Sequence, residues 1–372
     1  EFHHPYNALI KNQIVPLLFN NTITGKNVNL VVKKEQLHKA VNVIHGQVFG
    51  AAKKINIAVF GKGLVGGTFI NQVLENAASV LERRKIQLNI FAIADSKKVL
   101  LNASGVGENW ESDLSASNTE NASIETIINY AKEHHLENLI AVDNTANPDF
   151  INNYIPLVEA GFDLVSSNKI ANTVSHSFYT ELRKKLAANK KSYLYETNVG
   201  AGLPLIDTIK LLHESGENIT RIRGVFSGSL SYLFNRFSAD DVSFSTVLQE
   251  AIDQGFTEPD PREDLCGNDV ARKLLILARE LDLENEFEDC TIENLIPTNF
   301  RTIASNEFLS GLEKLDTHFQ GIKEAQKEDH VLRYIGDLSG DLSQRKGVLE
   351  VKLVSVSTSS PLGALKGADA IF

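Results

Sequence analysis

A glycine-rich turn between a strand-like run and a helix-like run constrains the fold of this chain more than any other feature. Residues 55–60 form a short apolar run typical of a buried strand, and helical apolar spacing begins at Phe69. Between them lies Gly61-Lys62-Gly63-Leu64-Val65-Gly66, the pattern G-x-G-x-x-G in the setting that a dinucleotide site requires. The first glycine permits a tight turn, the second lets a pyrophosphate approach the backbone closely, and the third lets the helix pack closely on the strand. We therefore predict a Rossmann-type α/β domain in which the helix N-terminus, at Leu64 and Val65, faces the phosphates of NAD or NADP. The alternative is a glycine turn that only packs tightly.

A second predicted strand, residues 88–94, ends at Asp95, where a Rossmann fold places the residue that meets the adenosine ribose. A carboxylate there accepts hydrogen bonds from the ribose hydroxyls and repels a 2′-phosphate, which favours NAD. Lys97 and Lys98 come directly after it and can neutralise a phosphate, which favours NADP. Asp95 can also simply cap a turn or a helix. The cofactor preference therefore stays open.

Between about residues 55 and 197, apolar strands alternate with helical segments, which indicates a parallel, doubly wound sheet. We predict further strands at 139–143, 163–166 and 192–195, and helices at 124–133 and 178–189. Thr145 follows the third strand, and Asn168 and Lys169 follow the fourth. Ligands bind at the carboxyl ends of the strands in such sheets, so these residues are candidates for cofactor or substrate contacts. Each alone is more often a turn residue.

The composition limits the kinds of partner. A net charge of -10 without a basic run argues against nucleic acid and anionic membrane surfaces. No apolar stretch reaches bilayer length, and no signal peptide is visible. The two cysteines, Cys266 and Cys290, form no C-x-x-C pair, so we expect no disulfide framework and a cytoplasmic location. The chain contains no methionine and starts at Glu1, so we expect a part of a longer polypeptide.

Residues 1–50 differ in character from the rest of the chain. Residues 28–32 look like a strand, and residues 36–48 carry apolar side chains at helical spacing. One strand and one helix are too little to bury a core. We interpret them as the remnant of a small αβ unit, the alternative being a simple extension packed on the main body.

The segment Glu196-Thr197-Asn198-Val199-Gly200-Ala201-Gly202-Leu203-Pro204 is rich in small residues. Such a backbone can turn its carbonyl groups toward a monovalent cation, with Glu196 as the one formal negative charge, or it can form a hinge between domains. Beyond it we predict strands at 222–226, 333–337 and 348–356, and a small-residue turn into a helix at 227–232. This part is expected to be an α+β substrate domain.

Five charged side chains crowd the proline-pinned loop Thr257-Glu258-Pro259-Asp260-Pro261-Arg262-Glu263-Asp264-Leu265. A helix comes next, in which Asp269 and Lys273 stand four residues apart and share one face. The apolar run 274–278 must be buried, so these charges lie at the edge of a core, where substrate-handling groups are found. The alternative for Asp269 and Lys273 is an ordinary helical ion pair, worth roughly 0.2 to 0.5 kcal/mol.

Over about residues 54–372 the chain resembles homoserine dehydrogenases, specifically the dehydrogenase portion of bifunctional aspartokinase/homoserine dehydrogenases. The resemblance is carried by the motifs at 61–67, 168–169, 196–204 and 227–232, and above all by 257–273. Residues 1–50 resemble the closing strand and helix of the ACT-like regulatory domain of such fusions. The resemblance implies four parts: this remnant and linker (1–50), a dinucleotide-binding domain (51–197), a substrate-binding and dimerisation domain (198–356) and a truncated return toward the nucleotide domain (357–372).

The resemblance also implies an activity, the NAD(P)-dependent interconversion of L-homoserine and L-aspartate 4-semialdehyde. By this analogy Lys273 exchanges a proton with the reacting oxygen, with Asp269 and Lys169 also catalytic, while Glu258 and Asp269 hold the substrate. The cofactor contacts are expected at Gly61, Gly63, Leu64, Val65, Gly66, Asp95, Thr145 and Lys169. A structural sodium ion is expected at Glu196, Val199, Ala201 and Leu203. The implied partners are a second copy of the chain and an aspartokinase domain in the same polypeptide.

Two positions depart from the family pattern. Ile170 stands where many relatives have a second lysine after 168–169, and Asp95 stands where they tend to have a neutral residue. Both bear on the choice between NAD and NADP. Two alternatives to the implied activity remain: another nicotinamide-dependent hydroxy-acid dehydrogenase, and a non-catalytic fragment that supports assembly.

Overall fold

The computed structural model of this chain describes residues 3–22, 27–48, 52–117 and 123–366. The chain divides into two compact units. The first comprises residues 1–171 and 177–195, and the second comprises residues 172–176 and 196–372. Among the helices of the described ranges, none combines the length and apolar character needed to cross a bilayer.

The first unit alternates strands and helices after an N-terminal αββα segment. Its elements are α1 (His3–Lys11), β1 (Leu18–Asn21), β2 (Val28–Val31), α2 (Leu37–Val48), β3 (Lys53–Phe60), α3 (Leu64–Arg84), β4 (Ile86–Ala94), β5 (Val99–Leu101), α4 (Trp110–Ala116), α5 (Ile124–Glu133), β6 (Leu139–Asp143), α6 (Tyr154–Glu159), β7 (Phe162–Ser166), α7 (His176–Asn189) and β8 (Tyr193–Leu194).

The main sheet of this unit has six strands in the order β5-β4-β3-β6-β7-β8. All neighbours are parallel except β5, a short edge strand antiparallel to β4. Strand β4, the next in sequence after β3, lies on one side of it and β6 on the other, so the winding direction changes between β3 and β6. The prediction of a Rossmann-type, doubly wound parallel sheet is confirmed. The antiparallel β5 was not predicted, because a three-residue strand carries too little alternation to be recognised.

The core of this sheet follows from its sequence. The last five residues of β3 are buried in succession, as are the last six of β4, as expected for strands covered on both faces. Ile70 of α3 and Trp110 of α4 pack into the same apolar cluster. The carboxyl ends of β3, β4 and β6 are thereby held rigidly, and these ends carry the candidate site.

Residues 3–48 contain more structure than the sequence indicated. Two helices and a two-stranded antiparallel sheet replace the expected single strand and helix, and Leu9, Ile14, Ala40 and Val43 form a small core between them. Strand β1 was missed because all four of its residues are exposed, which leaves no alternation to detect. The interpretation of this segment as a regulatory-domain remnant stays a prediction.

The second unit combines helices with a four-stranded mixed sheet. Its elements are α8 (Leu205–Glu214), β9 (Ile222–Gly224), α9 (Gly228–Ala239), α10 (Phe244–Asp253), α11 (Arg262–Leu265), α12 (Asn268–Glu280), β10 (Cys290–Ile292), α13 (Ser305–Leu309), α14 (Asp316–Glu324), β11 (His330–Ser339), β12 (Val348–Ser357) and α15 (Pro361–Ala364). The strand order is β10-β12-β11-β9, antiparallel except for the parallel pair of β10 and β12. The α+β prediction for this part is confirmed.

Helix α12 packs on one face of this sheet. A Cβ added to Gly336 of β11 would lie 2.9 Å from the Phe226 ring and 3.3 Å from Leu274 of α12, so glycine leaves room for both side chains on this face. All five residues 274–278 are fully buried, as the sequence predicted. The packing fixes the N-terminal turns of α12, which carry Asp269 and Lys273.

Candidate active site

The glycine turn lies at the point where the winding of the main sheet changes direction. Gly61 follows β3 with φ +88°, and its N–H donates to the Ala94 carbonyl at 2.9 Å. A Cβ at Gly61 would lie 2.8 Å from the backbone of Asn144, the residue that follows β6. The turn therefore requires glycine, and it places the loops after β3 and β6 side by side.

The start of α3 is open to a ligand. Gly63 is the N-cap, no side chain caps the helix, and its first turn has no acidic residue. A Cβ at Gly66 would overlap the Gly61 carbonyl oxygen, whereas one at Gly63 would meet no atom within 4 Å. Leu64 and Val65 at the helix start are exposed. The third glycine thus serves packing, and the second leaves the space that an anion at a helix N-terminus needs.

A cavity of about 510 Å³ adjoins this turn. It is lined by residues from the carboxyl ends of three strands and from α5, among them Gly61, Gly63, Asp95, Asn144 and Thr145. The Asn144 Nδ2 atom is buried and has no hydrogen-bond partner in the described part of the chain, while its Oδ1 accepts from Ser167. An unsatisfied buried donor is costly, and a ligand acceptor in this cavity would satisfy it. The residues present fit a dinucleotide.

Asp95 is held in place from three sides. Its Oδ1 accepts from the backbone N–H groups of Lys97 and Lys98, both at 2.8 Å, and its Oδ2 lies 3.1 Å from Lys62 Nζ. Burial acts to raise the pKa of Asp95, but these hydrogen bonds and the Lys62 charge outweigh it and leave the pKa below its ordinary value. Asp95 is therefore a turn cap that also lines the cavity. Its contact with an adenosine ribose stays a prediction.

The ends of β6 and β7 form a buried polar network centred on Asp143. Its carboxylate accepts from the Thr145 N–H at 2.8 Å, the Tyr154 hydroxyl at 2.7 Å and Asn168 Nδ2 at 3.2 Å. Burial raises the pKa of Asp143 in spite of these donors. The network orients Thr145, which lines the cavity, and Asn168, which precedes the half-exposed Lys169. Asp143 was predicted only as the end of a strand.

The predicted cation loop begins the second unit. Both carboxylate oxygens of Glu196 accept from backbone N–H groups at the start of α8, from Ile206 at 2.8 Å and Asp207 at 3.0 Å. Ala201 adopts φ +53°, a left-handed conformation that is strained for a residue with a side chain. The Leu203 carbonyl accepts from the Leu205 N–H at 2.8 Å, and Val199 is fully buried. The backbone of this loop is therefore turned at Ala201, and the Glu196 carboxylate caps the start of α8.

Lys273 is fixed in the second unit by two contacts of its ammonium group. Its Nζ donates to the Phe226 carbonyl at 2.7 Å and lies 2.7 Å from Asp269 Oδ2. The Lys273 side chain is 18% exposed and that of Asp269 is 46% exposed, so the pair lies at the edge of the unit. The bond to Phe226 distinguishes it from an ordinary helical ion pair, because it ties the α12 lysine to the segment between β9 and α9.

Asp264 connects the remaining parts of this site. Its Oδ1 accepts from the Ser229 hydroxyl at 2.7 Å and its Oδ2 from the Glu258 N–H at 2.9 Å. Burial, with a smaller contribution from the Asp269 charge, raises the pKa of Asp264. Glu258 itself is exposed. The sequence places Asp264 in the charged loop, six residues after Glu258, but no local pattern indicates its role.

Gly267 separates the charged loop from α12. It is the N-cap of that helix with φ +81°, and a Cβ there would overlap the hydroxyl of buried Tyr334. The Tyr334 hydroxyl donates to the Glu293 carbonyl at 2.7 Å, which leaves it little freedom to move. The spacing between the loop and the Asp269–Lys273 face therefore depends on a glycine at this position.

Two family models match the chain: "Homoserine dehydrogenase, NAD binding domain" over residues 61–196 and "Homoserine dehydrogenase" over residues 204–372. Among curated proteins, the chain is 39% identical over 346 residues to the bifunctional aspartokinase/homoserine dehydrogenase of Buchnera aphidicola, covering 92% of the chain and 41% of the relative. It is 37% identical to the chloroplastic bifunctional enzyme 1 of Arabidopsis thaliana, covering 98% of the chain and 40% of the relative. The chain thus spans about two fifths of the length of these relatives.

Solved structures with the same fold extend the comparison. A Candida auris protein described as of unknown function is 32% identical with a TM-score of 0.75, and the match covers 85% of this chain and 87% of that one. A putative homoserine dehydrogenase from Archaeoglobus fulgidus is 22% identical with a TM-score of 0.63, covering 84% and 87%. A hyperthermophilic archaeal homoserine dehydrogenase mutant in complex with NADPH is 23% identical with a TM-score of 0.61, covering 84% and 85%. Because the last two structures are less than 25% identical to this chain, they support the fold alone.

Proposed function

Because this chain belongs to the homoserine dehydrogenase family of NAD(P)-dependent oxidoreductases, we propose that it interconverts L-homoserine and L-aspartate 4-semialdehyde. The observation that carries this proposal is the placement of Lys273. Its ammonium is anchored by a backbone carbonyl and a carboxylate at the edge of the second unit, next to the loop that carries Glu258 and Asp264. Reduction of an aldehyde develops negative charge on oxygen, and an oriented ammonium both stabilises that charge and supplies the proton.

The remaining side chains of the second unit have complementary roles in this proposal. Asp269 orients the Lys273 ammonium, and with Glu258 it binds the ammonium group of the amino-acid substrate. Asp264 holds the Glu258 backbone and Ser229, so we assign it a positioning role.

The first unit binds the cofactor in this proposal, with the diphosphate at the N-terminus of α3 and the adenosine ribose near Asp95. When bound, the nicotinamide ring of NAD or NADP supplies or accepts the hydride. Thr145 and Lys169, at the ends of β6 and β7, are assigned to the nicotinamide side. Lys62, Lys97 and Lys98 around Asp95 provide positive charge for a 2′-phosphate, so we propose that both cofactors are used.

The activity is tested by following reduced-nicotinamide absorbance with purified protein. Homoserine should give turnover with NAD or NADP, whereas 3-hydroxybutyrate and 4-hydroxybutyrate, which lack the α-amino group, should give at least a hundredfold lower kcat/KM. Equal turnover of the hydroxy acids would indicate a different hydroxy-acid dehydrogenase. Cofactor binding without turnover of any substrate would favour a non-catalytic assembly role.

We also propose that the loop 196–203 binds sodium through the Glu196 carboxylate and the carbonyl groups of Val199, Ala201 and Leu203. Oxygen donors suit a hard cation, and the left-handed Ala201 is the kind of strain that a bound ion can offset. Thermal stability should then rise with NaCl more than with choline chloride at equal ionic strength. Glu196→Gln should abolish the difference between the two salts.

We propose two partners for the chain. Residues 3–48 expose Val15, Leu17, Leu18 and Val41, each more than half accessible, which suits packing against an aspartokinase-linked regulatory domain of the same polypeptide. The sheet of the second unit suits a homodimer. The expected cytoplasmic location and the absence of nucleic-acid and membrane partners stay predictions.

A further inference from the structure

A second cavity, of about 550 Å³, lies at the opposite end of the strands of the main sheet from the nucleotide cavity. The nucleotide cavity is lined by residues that come after β6, whereas this one includes Leu139, the first residue of β6. Its walls come from the N-terminal segment, at α1 and α2, and from α5 and the end of α6. The cavity is large enough for a small organic molecule.

One wall of this cavity is apolar and rigid. Ile128, Ala131, Leu136, Leu139 and Ala160 line it, and three of them are at least nine-tenths buried. The amide side chains nearby are already occupied: Asn12 donates to Ala8 and Asn138, and Gln13 donates to Val158 and Asn189. This wall therefore offers contact to an alkyl chain and little to a strongly polar molecule.

Lys39 supplies the positive charge inside this cavity. It lines the cavity from α2, is half-buried, and its ammonium has no hydrogen bond or ion pair within the described part of the chain. Burial, with the nearby Lys191, lowers the pKa of Lys39 to about 8, against a smaller opposing effect of Glu137. Lys191 is already paired with Asp163 at 3.3 Å, whereas Lys39 forms no ion pair in the described ranges.

The other charged groups around the cavity leave an anion as the favoured ligand beside Lys39. Glu137 attracts Lys39 but forms no ion pair with it in the described ranges, and burial raises the pKa of Glu137 and so disfavours its charged form. Glu35, Glu133, Lys132 and His135 also line the opening, and the first three are exposed, where water screens their charges. A carboxylate beside Lys39 would compensate its desolvated charge.

We propose that this cavity is a second ligand site that takes a small monocarboxylate. Lys39 binds the carboxylate, and the alkyl chain lies along Ile128, Ala131 and Leu136. The site joins the N-terminal segment to the main sheet, so its ligand stabilises that junction. It is independent of the nucleotide cavity and of the reaction proposed above.

The proposal is tested by calorimetric titration of the whole chain with butyrate, hexanoate, hexanamide and hexylamine. Hexanoate should bind, butyrate should bind more weakly by roughly two- to fourfold per missing methylene, and the neutral and cationic analogues should not bind measurably. Lys39→Met should abolish hexanoate binding and, because it removes a desolvated charge, should not lower thermal stability. Lys132→Met, at the opening of the same cavity, is the matched control and should bind hexanoate as the wild type does.

A second measurement needs no variant. In wild-type protein, hexanoate should slow reductive methylation of Lys39 at least fivefold, as read by peptide mass spectrometry, and leave that of Lys132 unchanged. Saturating NADPH should not displace hexanoate. Equal binding of hexanamide, retained binding in Lys39→Met, absence of protection or competition by NADPH would each overturn the proposal.

Discussion

At the scale of single residues, Lys273 is the side chain on which the proposed reaction depends. Lys273→Met keeps the length of the side chain but removes the charge and the proton. We expect kcat to fall by roughly 10² to 10⁴, the usual contribution of a general acid, with NADPH affinity unchanged in a fluorescence titration. The control is Lys210→Met, since Lys210 forms a comparable i,i+4 pair with Glu214 on α8. A variant with near-normal kcat would leave Lys273 with a structural role only, through its contacts with Phe226 and Asp269.

We propose that Asp95, in the same unit as the glycine turn, governs the choice between NAD and NADP. Asp95→Ala removes the carboxylate that neutralises Lys62 and leaves three lysines to attract a 2′-phosphate. We expect the ratio of kcat/KM for NADP to that for NAD to rise about tenfold or more, the size of one charge-assisted hydrogen bond. An unchanged ratio in steady-state assays with both cofactors would remove Asp95 from the ribose site.

Asp260 gives a pH-dependent effect on stability in the charged loop. Hydrogen bonds from the Arg262 guanidinium, only partly opposed by burial, lower the pKa of Asp260 from 3.8 to about 2. A carboxylate with a lowered folded-state pKa stabilises above its unfolded pKa, and this contribution is lost as pH falls toward 2. Asp260→Asn should therefore unfold more easily than wild type at pH 7, and the two should converge between pH 4 and pH 2 in denaturant titrations. A difference that stays constant over that range would contradict this.

At the scale of elements, Gly267 sets the start of helix α12, which carries Asp269 and Lys273. Gly267→Ala meets both a left-handed φ and the Tyr334 hydroxyl, so we expect a loss of about 2–4 kcal/mol in the free energy of unfolding. Gly216→Ala is the matched control: Gly216 has φ +87° but no atom within 4 Å of its Cβ, so only the conformational cost should appear. Tyr334→Phe in the Gly267→Ala background should recover part of the loss, as measured by urea unfolding.

The same elements show what the sequence could and could not predict. The strand–glycine turn–helix of β3 and α3 and the helix 124–133 were predicted because local periodicity and glycine positions determine them. The short strands β5 and β10 were not, because three residues carry no detectable period. The roles of Asp143, Asn144 and Asp264 depend on hydrogen bonds between segments distant in sequence, which no local pattern encodes. Of these three residues, only Asp264 lies within a stretch that the sequence singled out as a candidate site, the charged loop.

At the scale of the whole molecule, the proposed homodimer depends on the sheet face opposite α12. This face combines apolar Val331, Val354 and Val356 with Asp337, Glu350 and Lys352, and the register of β11 and β12 brings these side chains onto one surface. Asp337 is buried among cations, with Arg221 at 2.5 Å and Arg223 at 3.6 Å. A face that carries both apolar groups and both signs of charge can pair with itself across a twofold axis.

Val354→Asp tests this pairing, because it places an unpaired carboxylate within the proposed interface while costing little in the half-exposed monomer surface. We expect light scattering to give the mass of two chains for wild type and of one chain for Val354→Asp, with the far-UV spectrum unchanged. Ser355→Asp is the control, since the exposed neighbour on the same strand points to the opposite face and should remain dimeric. The proposed interface would be rejected by a wild-type chain that is monomeric at micromolar concentration, or by a dimer that survives Val354→Asp. The charges of this face would then serve only the stability of the second unit.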